Sequence, residues 1–551
     1  MIFQLTCGLQ QRKLIYSSFK KNLSEFITDF SGAHFRFSKH YGIGRDEAHI
    51  YLKELGLCRG TQSDSKVLVD GMWWNPNHIF RYTLLRAAIG LSEYRETVII
   101  GEKSPNRSKA SFKEIGINKF IQFKTSDTDK YKEEVAKYLN KIKSWNDLFE
   151  NEFDENFPAE IIYDAITKEE SDIALEFDKA RFSRYILRLR AYQKRAREIL
   201  SDKNIKLLVL SHSVNLNFCS LALEACRQKI PVIVIYGEYG TLRFWKIEKP
   251  TDIYMGSNFL SRDGISRLTE SQLTDLEQKG STYLNSRISA KTVDIGAKRA
   301  FARDKGKINR DKIIDHFNWD SSKPIIALYG MSWIDYPHLY GPIPYRNPLE
   351  WIFETIEIAK KTKNYNLIIR PHPCENLRGT RGLCDYLPIN LPEHIRICET
   401  GWSGADIMHS VDGLLTLYGT AGVEYAAHKK PVLSLGKGWY GDVGFTLNAK
   451  NRLEYVECLE REWWKGVDFI RNQKIAKIFA GWHFCKPDWK EGYCTGDDFT
   501  QLDLYRKIIF NKECNGSKIN KEIECIREWW KSSIKGYHNY TMENATKYAT
   551  N

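Results

Sequence analysis

Short apolar runs bounded by turn residues recur along this chain and alternate with longer stretches of helical character. A run of that kind reads as a buried strand. Val67-Leu68-Val69, Val98-Ile99-Ile100, Phe120–Phe123, Lys206–Leu210 and Pro231–Tyr236 form a first set. Pro324–Tyr329, Leu367-Ile368-Ile369, Gly413–Leu417 and Val432–Leu435 form a second. Helices are expected after Pro76, around Phe112, from Arg181 to Leu200, after Ser213 to about Arg227, near Pro348–Lys361 and from Val423 to His428. Strands and helices alternating in this way build mostly parallel sheets. Ligands of such sheets bind beyond the carboxyl ends of the strands, so the residues at those ends are the ones to read for chemistry.

The rhythm divides the chain. Residues 1–280 are expected to form a first Rossmann-like unit, with a highly charged, solvated helical insertion at about 125–204 and a final short strand at Asp252–Met255. Residues 281–322 read as a basic linker containing Lys298, Arg299, Arg303, Lys305, Lys307, Arg310 and Lys312. Residues 323–450 form a second Rossmann-like unit, and 451–551 a polar, tryptophan-rich helical extension whose tail after Tyr537 reads as loose. Arg461-Glu462-Trp463-Trp464-Lys465 recurs as Arg527-Glu528-Trp529-Trp530-Lys531, which is too little for a repeat. These segments pack back across the two units or make an interfacial Trp/Lys membrane contact.

Composition narrows the partners. At 551 residues the chain has room for two or more domains with cores of their own. The 15 Trp and 29 Tyr offer rings that stack on pyranose faces, or that simply pack. A net charge of +13 favours anionic partners: nucleotide sugars, acidic glycans or an anionic membrane surface. There is no helix-turn-helix, zinc-finger or RNA-binding signature, so nucleic acid is not expected. Twelve Cys include no CxxC pair and no Cys/His cluster at zinc spacing, so usage is that of a reduced, cytosolic protein, and neither metal nor cofactor is expected. The start, Met1–Cys7, turns polar too soon for a signal peptide, and no apolar run approaches the ~20 residues that span a bilayer. These features predict a cytoplasmic protein, with peripheral contact at the inner face of the plasma membrane as the further option.

Candidate chemistry clusters at strand ends. In Arg370-Pro371-His372-Pro373-Cys374-Glu375 two prolines clamp the loop and fix where His372 points. Arg370 adds a charge suited to phosphate. The Gly419-Thr420-Ala421-Gly422 turn leads into a helix, with Thr420 placed as N-cap and free N–H groups suited to an anion. Glu424, one turn inside, is placed to accept from a ribose diol; an ordinary capped helix explains the same turn. Ser332, after the strand Pro324–Tyr329, is a further phosphate candidate, and Lys437 is placed to neutralise donor charge or to sit in an exposed turn. In the first unit Glu238, between Gly237 and Tyr239-Gly240, is the leading candidate for a catalytic carboxylate and His212 the second. Each is equally at home as a turn carboxylate or a satisfied cleft histidine. Trp73-Trp74-Asn75-Pro76-Asn77-His78 lies at a strand exit on the side where an acceptor would bind. The Gly42-Ile43-Gly44-Arg45-Asp46-Glu47 loop either supplies a carboxylate or caps a helix.

The RPHPxE loop, followed by Ser410–Thr446, resembles the capsule polysaccharide biosynthesis family of bacterial glycosyltransferases, which includes the Kdo transferases of capsule linkers and some O-antigens. The likeness spans roughly Ile325–Thr446, less than a quarter of the chain. It implies a GT-B fold: two Rossmann-like domains facing a cleft, the C-terminal one holding the nucleotide sugar. It places His372 near the donor phosphate, Gly419 and Thr420 under it, and Glu424 near the ribose. The implied activity moves a sugar from a nucleotide-activated donor, CMP-Kdo or a similar acidic sugar, to a surface polysaccharide or lipid-linked acceptor. GT-B enzymes as a group need no bound metal, and no DxD-like pair stands out here. Polyol-phosphate transferases of the teichoic-acid type also carry an HP loop, but with a second His and a Ser-rich turn where this chain has Tyr418-Gly419-Thr420. A non-catalytic glycan- or nucleotide-binding protein would keep the fold without turnover.

Overall fold

The computed structural model describes residues 50–539 apart from 51, 58–62, 103–104, 126–127, 152–156, 237–240, 255–259, 293, 303–306, 334–335, 376–380, 437 and 489–503. The expected class is what is found: mixed α/β, with two doubly wound sheets.

The first sheet contains β1 (Lys66–Asp70), β2 (Arg95–Ile100), β3 (Phe120–Gln122), β4 (Ile205–Leu210), β5 (Val232–Tyr236) and β6 (Arg243–Ile247). The second contains β7 (Ile325–Tyr329), β8 (Asn366–Arg370), β9 (Ile395–Ile397), β10 (Gly413–Thr416), β11 (Val432–Leu435) and β12 (Leu447–Ala449). A last strand, β13 (Gly536–His538), returns to the first sheet. The orders are β13-β6-β5-β4-β1-β2-β3 and β12-β11-β10-β7-β8-β9. The second sheet is wholly parallel; in the first, β6 alone runs the other way, antiparallel to both its neighbours, β5 and β13. Winding reverses between β1 and β4 in one sheet and between β7 and β10 in the other. That reversal opens the crevice in which ligands of doubly wound sheets bind. The central strands are buried on both faces, Val67, Leu68 and Val69 alike, because helices cover each side.

Several expectations need correction. The stretch 125–204 is not a solvated insertion. Its helix Lys179–Leu200 is the crossover from β3 to β4, and Phe182, Ile186, Leu189 and Ala196 are buried at helical spacing. Its many Arg residues occupy the other face, which is why the segment looks solvated in sequence. A second helix, Ala159–Glu170, reaches the other unit: Asn347 donates to the Tyr163 hydroxyl (2.8 Å) and Asp164 holds His338. The stretch 281–322 is not an open linker either. It holds the end of helix Glu270–Ile288, then Ile295–Ala300 and Arg310–Phe317. Helix Glu270–Ile288 crosses helix Phe469–His483 with Gly280 against Gly481, and a Cβ on either would overlap the main chain of the other at Lys477 or Leu276.

Asp252 belongs to a 3-10 turn, Pro250–Ile253, not a strand; its carboxylate accepts the Glu248 and Lys249 N–H groups and so closes the turn. Of the tail after Tyr537 only His538 and Asn539 are described, and they are held in place; residues 540–551 lie outside the described residues. Pairing with β6 satisfies the β13 backbone, Tyr537 stacks on Phe244, and His538 and Asn539 are buried. Trp463, Trp464 and Trp529 are buried, so these rings pack inside the protein. Among the described residues no helix is long and apolar enough to cross a membrane.

Candidate functional site

The reversal point of the second sheet lies among the described residues that the sequence offers as donor-binding candidates. Tyr329 ends β7 level with Arg370 at the end of β8, and one position beyond the Leu328–Leu415 pair that joins β7 to β10. Three loops therefore leave neighbouring parallel strands at one edge: Gly330-Met331-Ser332, Pro371-His372-Pro373, and Leu417-Tyr418-Gly419. The first two run side by side, because Gly330 N–H donates to the Arg370 carbonyl (2.9 Å). His372 is half-buried, and its Nδ1 accepts from the Cys374 N–H (3.2 Å), which fixes the ring's orientation. Ser332 is half-buried on the β7 loop.

Arg370 is buried. It donates to the Ala300 carbonyl (3.2 Å) and the Tyr329 hydroxyl (3.4 Å), and its guanidinium lies over the Tyr329 ring. It pins the helix Ile295–Ala300 beneath the loop. Tyr425 donates to the same Tyr329 hydroxyl (2.7 Å), so β7, β8 and the helix Thr420–Ala427 share one polar junction.

Thr420 is not the N-cap of that helix. Gly419 occupies the cap, no side chain caps it, and Gly419 N–H turns to the Thr416 hydroxyl (3.2 Å). Tyr440 donates to the Gly419 carbonyl (2.9 Å), and a Cβ on Gly422 would overlap the Tyr440 hydroxyl. Gly422 is thus required by packing, and the turn is braced from behind. Glu424 is buried and ion-paired with Arg287 (2.7 Å), which also holds Asp294 (2.6 Å). Arg287 comes from the supposed linker and gives no sequence signal of this role. Glu375 closes the HP loop by accepting the Leu383 N–H (3.0 Å), and burial pushes its carboxyl up to about 7. Lys291, Lys298 and Lys486, with Tyr283, Ser286 and Thr292, line a cavity of about 470 Å³ beside the helix that Arg370 pins.

The reversal point of the first sheet holds a second cluster. Asp70 ends β1 and Ser211 follows β4. The Asp70 carboxylate accepts the Met72 N–H (2.6 Å), the Ser211 N–H (3.1 Å) and the Ser211 hydroxyl. Ser211 Oγ also lies 2.8 Å from His212 Nδ1. Burial pushes the Asp70 carboxyl up to about 6, against the hydrogen bonds that favour its charge. The His212 ring sits between Trp73 (4.7 Å, edge-on) and Phe218 (5.0 Å). Trp73 is 39% exposed. Close by, His78 is buried; desolvation first, then His212 and Arg81, push it down to about 3, so it stays neutral. Asn215, three residues after His212, has a φ of 87°, an uncommon strain for a residue with a side chain.

The structure thus brings Ser332, His372, Gly419 and Thr420 to one sheet edge, with Arg370 and Glu424 buried behind it. His212 belongs to the other sheet. Glu238, Lys437 and the Gly42–Glu47 loop lie outside the described residues. Asp70 and Ser211 were missed, although an acid closing the apolar run Val67-Leu68-Val69 is a readable signal.

No protein-family model and no curated protein matches this chain. Solved structures similar to it include the beta Kdo 2,4 transferase KpsC of Thermosulfurimonas dismutans, 11% identical over 51% of this chain and 79% of that one, with a TM-score of 0.32. The spinosyn rhamnosyltransferase SpnG is 11% identical over 76% and 95%, with a TM-score of 0.24. The UDP-GlcNAc 2-epimerase of Neisseria meningitidis, bound to UDP-GlcNAc, is 11% identical over 75% and 95%, with a TM-score of 0.23. Likeness at this level ends at the α/β architecture, and the site has to be read from this chain's own residues.

Proposed function

We propose that this protein is a GT-B-type glycosyltransferase that takes a sugar from a nucleotide-activated donor to a glycan or glycolipid acceptor of surface polysaccharide synthesis. One observation carries the reading: the loops of Ser332, His372 and Gly419-Thr420 leave adjacent parallel strands at the reversal point of the second sheet. Backbone N–H groups at the start of helix Thr420–Ala427 suit a phosphate there, since helix starts attract anions. In this reading His372 faces the donor phosphate, Arg370 supplies positive charge from beneath, and Glu424, oriented by Arg287, lies toward the ribose. Lys437 would neutralise further donor charge. The first unit presents the acceptor at its own reversal point, where the Trp73 ring offers a face for a pyranose. The net charge of +13 favours an acidic donor such as CMP-Kdo and accommodates an anionic inner membrane surface.

The test is thermal stability against CMP, UDP, GDP and CDP. A ligand at 100 times its Kd stabilises a fold by about 2.7 kcal/mol. Selective stabilisation by CMP, lost in His372→Ala, supports the acidic-sugar donor. A selective UDP or GDP shift keeps the glycosyltransferase and discards Kdo. No shift with any nucleotide overturns the donor site.

A further inference from the structure

We propose that Asp70 and Ser211 are positioning residues that set the tautomer of His212 and make its Nε2 the general base for the acceptor hydroxyl. The inference rests on the nucleotide-sugar reading above and adds to it the group that activates the acceptor. The argument is one of proton counting. An ionised carboxylate only accepts, and a serine hydroxyl has a single proton. Asp70 takes two backbone N–H groups and the Ser211 hydroxyl, all donors to a carboxylate. At pH 7.5, well above the value of about 6 to which burial raises it, that carboxyl is mostly ionised, and the Ser211 hydroxyl donates to it, so the Ser211 proton is spent on Asp70. The 2.8 Å contact between Ser211 Oγ and His212 Nδ1 then requires Nδ1 to donate. In neutral imidazole the lone pair is left on Nε2. Serine acts as a relay of orientation, and the carboxylate fixes the tautomer through it.

The surroundings agree. The three residues sit at the carboxyl ends of β1 and β4, where the winding reverses. The His212 ring is held between Trp73 and Phe218, and Trp73 is exposed enough to carry a sugar face beside it. His78 is the neighbouring imidazole, but it is buried and gives the acceptor no second base. In the step, Nε2 takes the proton of the acceptor hydroxyl as that oxygen forms its bond to the anomeric carbon. The bond from the anomeric carbon to the donor phosphate oxygen breaks, and its electron pair leaves with the nucleotide. The step is a single direct displacement with His212 as its base; Glu238 lies outside the described residues.

The experiment uses the full chain with ¹⁵N-histidine, the His212 signal being the one absent from His212→Gln. The expected result is the Nδ1–H tautomer in the wild type at pH 7.5, lost in Ser211→Ala and restored in Ser211→Thr. An Nε2–H tautomer in the wild type, or one unchanged in Ser211→Ala, overturns the assignment. In parallel, Ser211→Ala and Asp70→Asn should lower turnover at least about tenfold, with the thermal shift produced by the preferred nucleotide of the panel unchanged. Equal turnover in Ser211→Ala also overturns it. A wild-type protein that no nucleotide stabilises defeats the donor reading, and the tautomer measurement still judges the relay independently.

Discussion

Asp164 holds His338 twice: one carboxylate oxygen accepts the His338 backbone N–H (2.9 Å) and the other lies 2.8 Å from ring Nδ1, with both side chains buried. Asp164 stands on the helix Ala159–Glu170 and His338 in the loop after β7, so this pair ties the first unit to the loop region that carries Ser332. Burial alone would lower the histidine's pKa, but the Asp164 charge and hydrogen bond outweigh it, with Glu160 adding to them, and hold His338 above its ordinary 6.5.

Removing one partner of such a pair leaves a buried polar group uncompensated, so Asp164→Ala should cost about 3–5 kcal/mol. The pH sense follows from linkage: a raised folded-state pKa gives stability that is fully present below about 6.5 and is lost as pH rises through the elevated value. The melting-temperature gap between wild type and Asp164→Asn should therefore be wider at pH 6 than at pH 9. A gap that is constant with pH contradicts the charged pair.

Asp70 has the same sense by a different cause. Its carboxyl is raised from 3.8 to about 6 by burial, so its contribution is full below 3.8 and is lost as pH rises through about 6. Two units correspond to about 3 kcal/mol. Relative to Asp70→Asn, the wild type should lose about that much stability between pH 4 and pH 7. Parallel stability curves for the two proteins would refute this.

The crossing of helices Glu270–Ile288 and Phe469–His483 has no room for a methyl group at Gly280. Gly280→Ala should destabilise by about 1–3 kcal/mol or more through overpacking. Gln278→Ala, two residues away on the exposed face, should stay within about 0.5 kcal/mol. Similar melting temperatures for the two variants would exclude the close approach.

At the edge proposed to hold the donor, Gly422→Ala would push the Tyr440 hydroxyl off the Gly419 carbonyl. The turn proposed to bind phosphate then loses its brace. Affinity for the stabilising nucleotide should fall about tenfold, or about 1.4 kcal/mol. Calorimetric titration showing unchanged affinity in a folded variant would separate this turn from the site.

The sequence alone determined the strands β1–β5, β7, β8, β10 and β11 and the loops that carry His372 and Gly419-Thr420. Those follow from local rules: apolar runs bury as strands, and glycine and proline fix where loops turn. It did not determine which strands lie side by side. β13 joins a sheet whose other strands end at Ile247, and Leu447–Ala449 and Ile395–Ile397 are too short to read as strands before neighbours supply their hydrogen bonds. The charged face of Lys179–Leu200 hid a crossover helix because its other face is buried only by elements distant in sequence, the helix Leu216–Arg227 above all. Arg287 and Glu424, 137 residues apart, meet only when the connecting stretch folds as helix against the second unit. Asp70, Ser211 and His212 form one hydrogen-bonded chain for the same reason. Adjacent parallel strands place their ends together however far apart the residues are in the chain, and only the tertiary fold makes β1 and β4 neighbours.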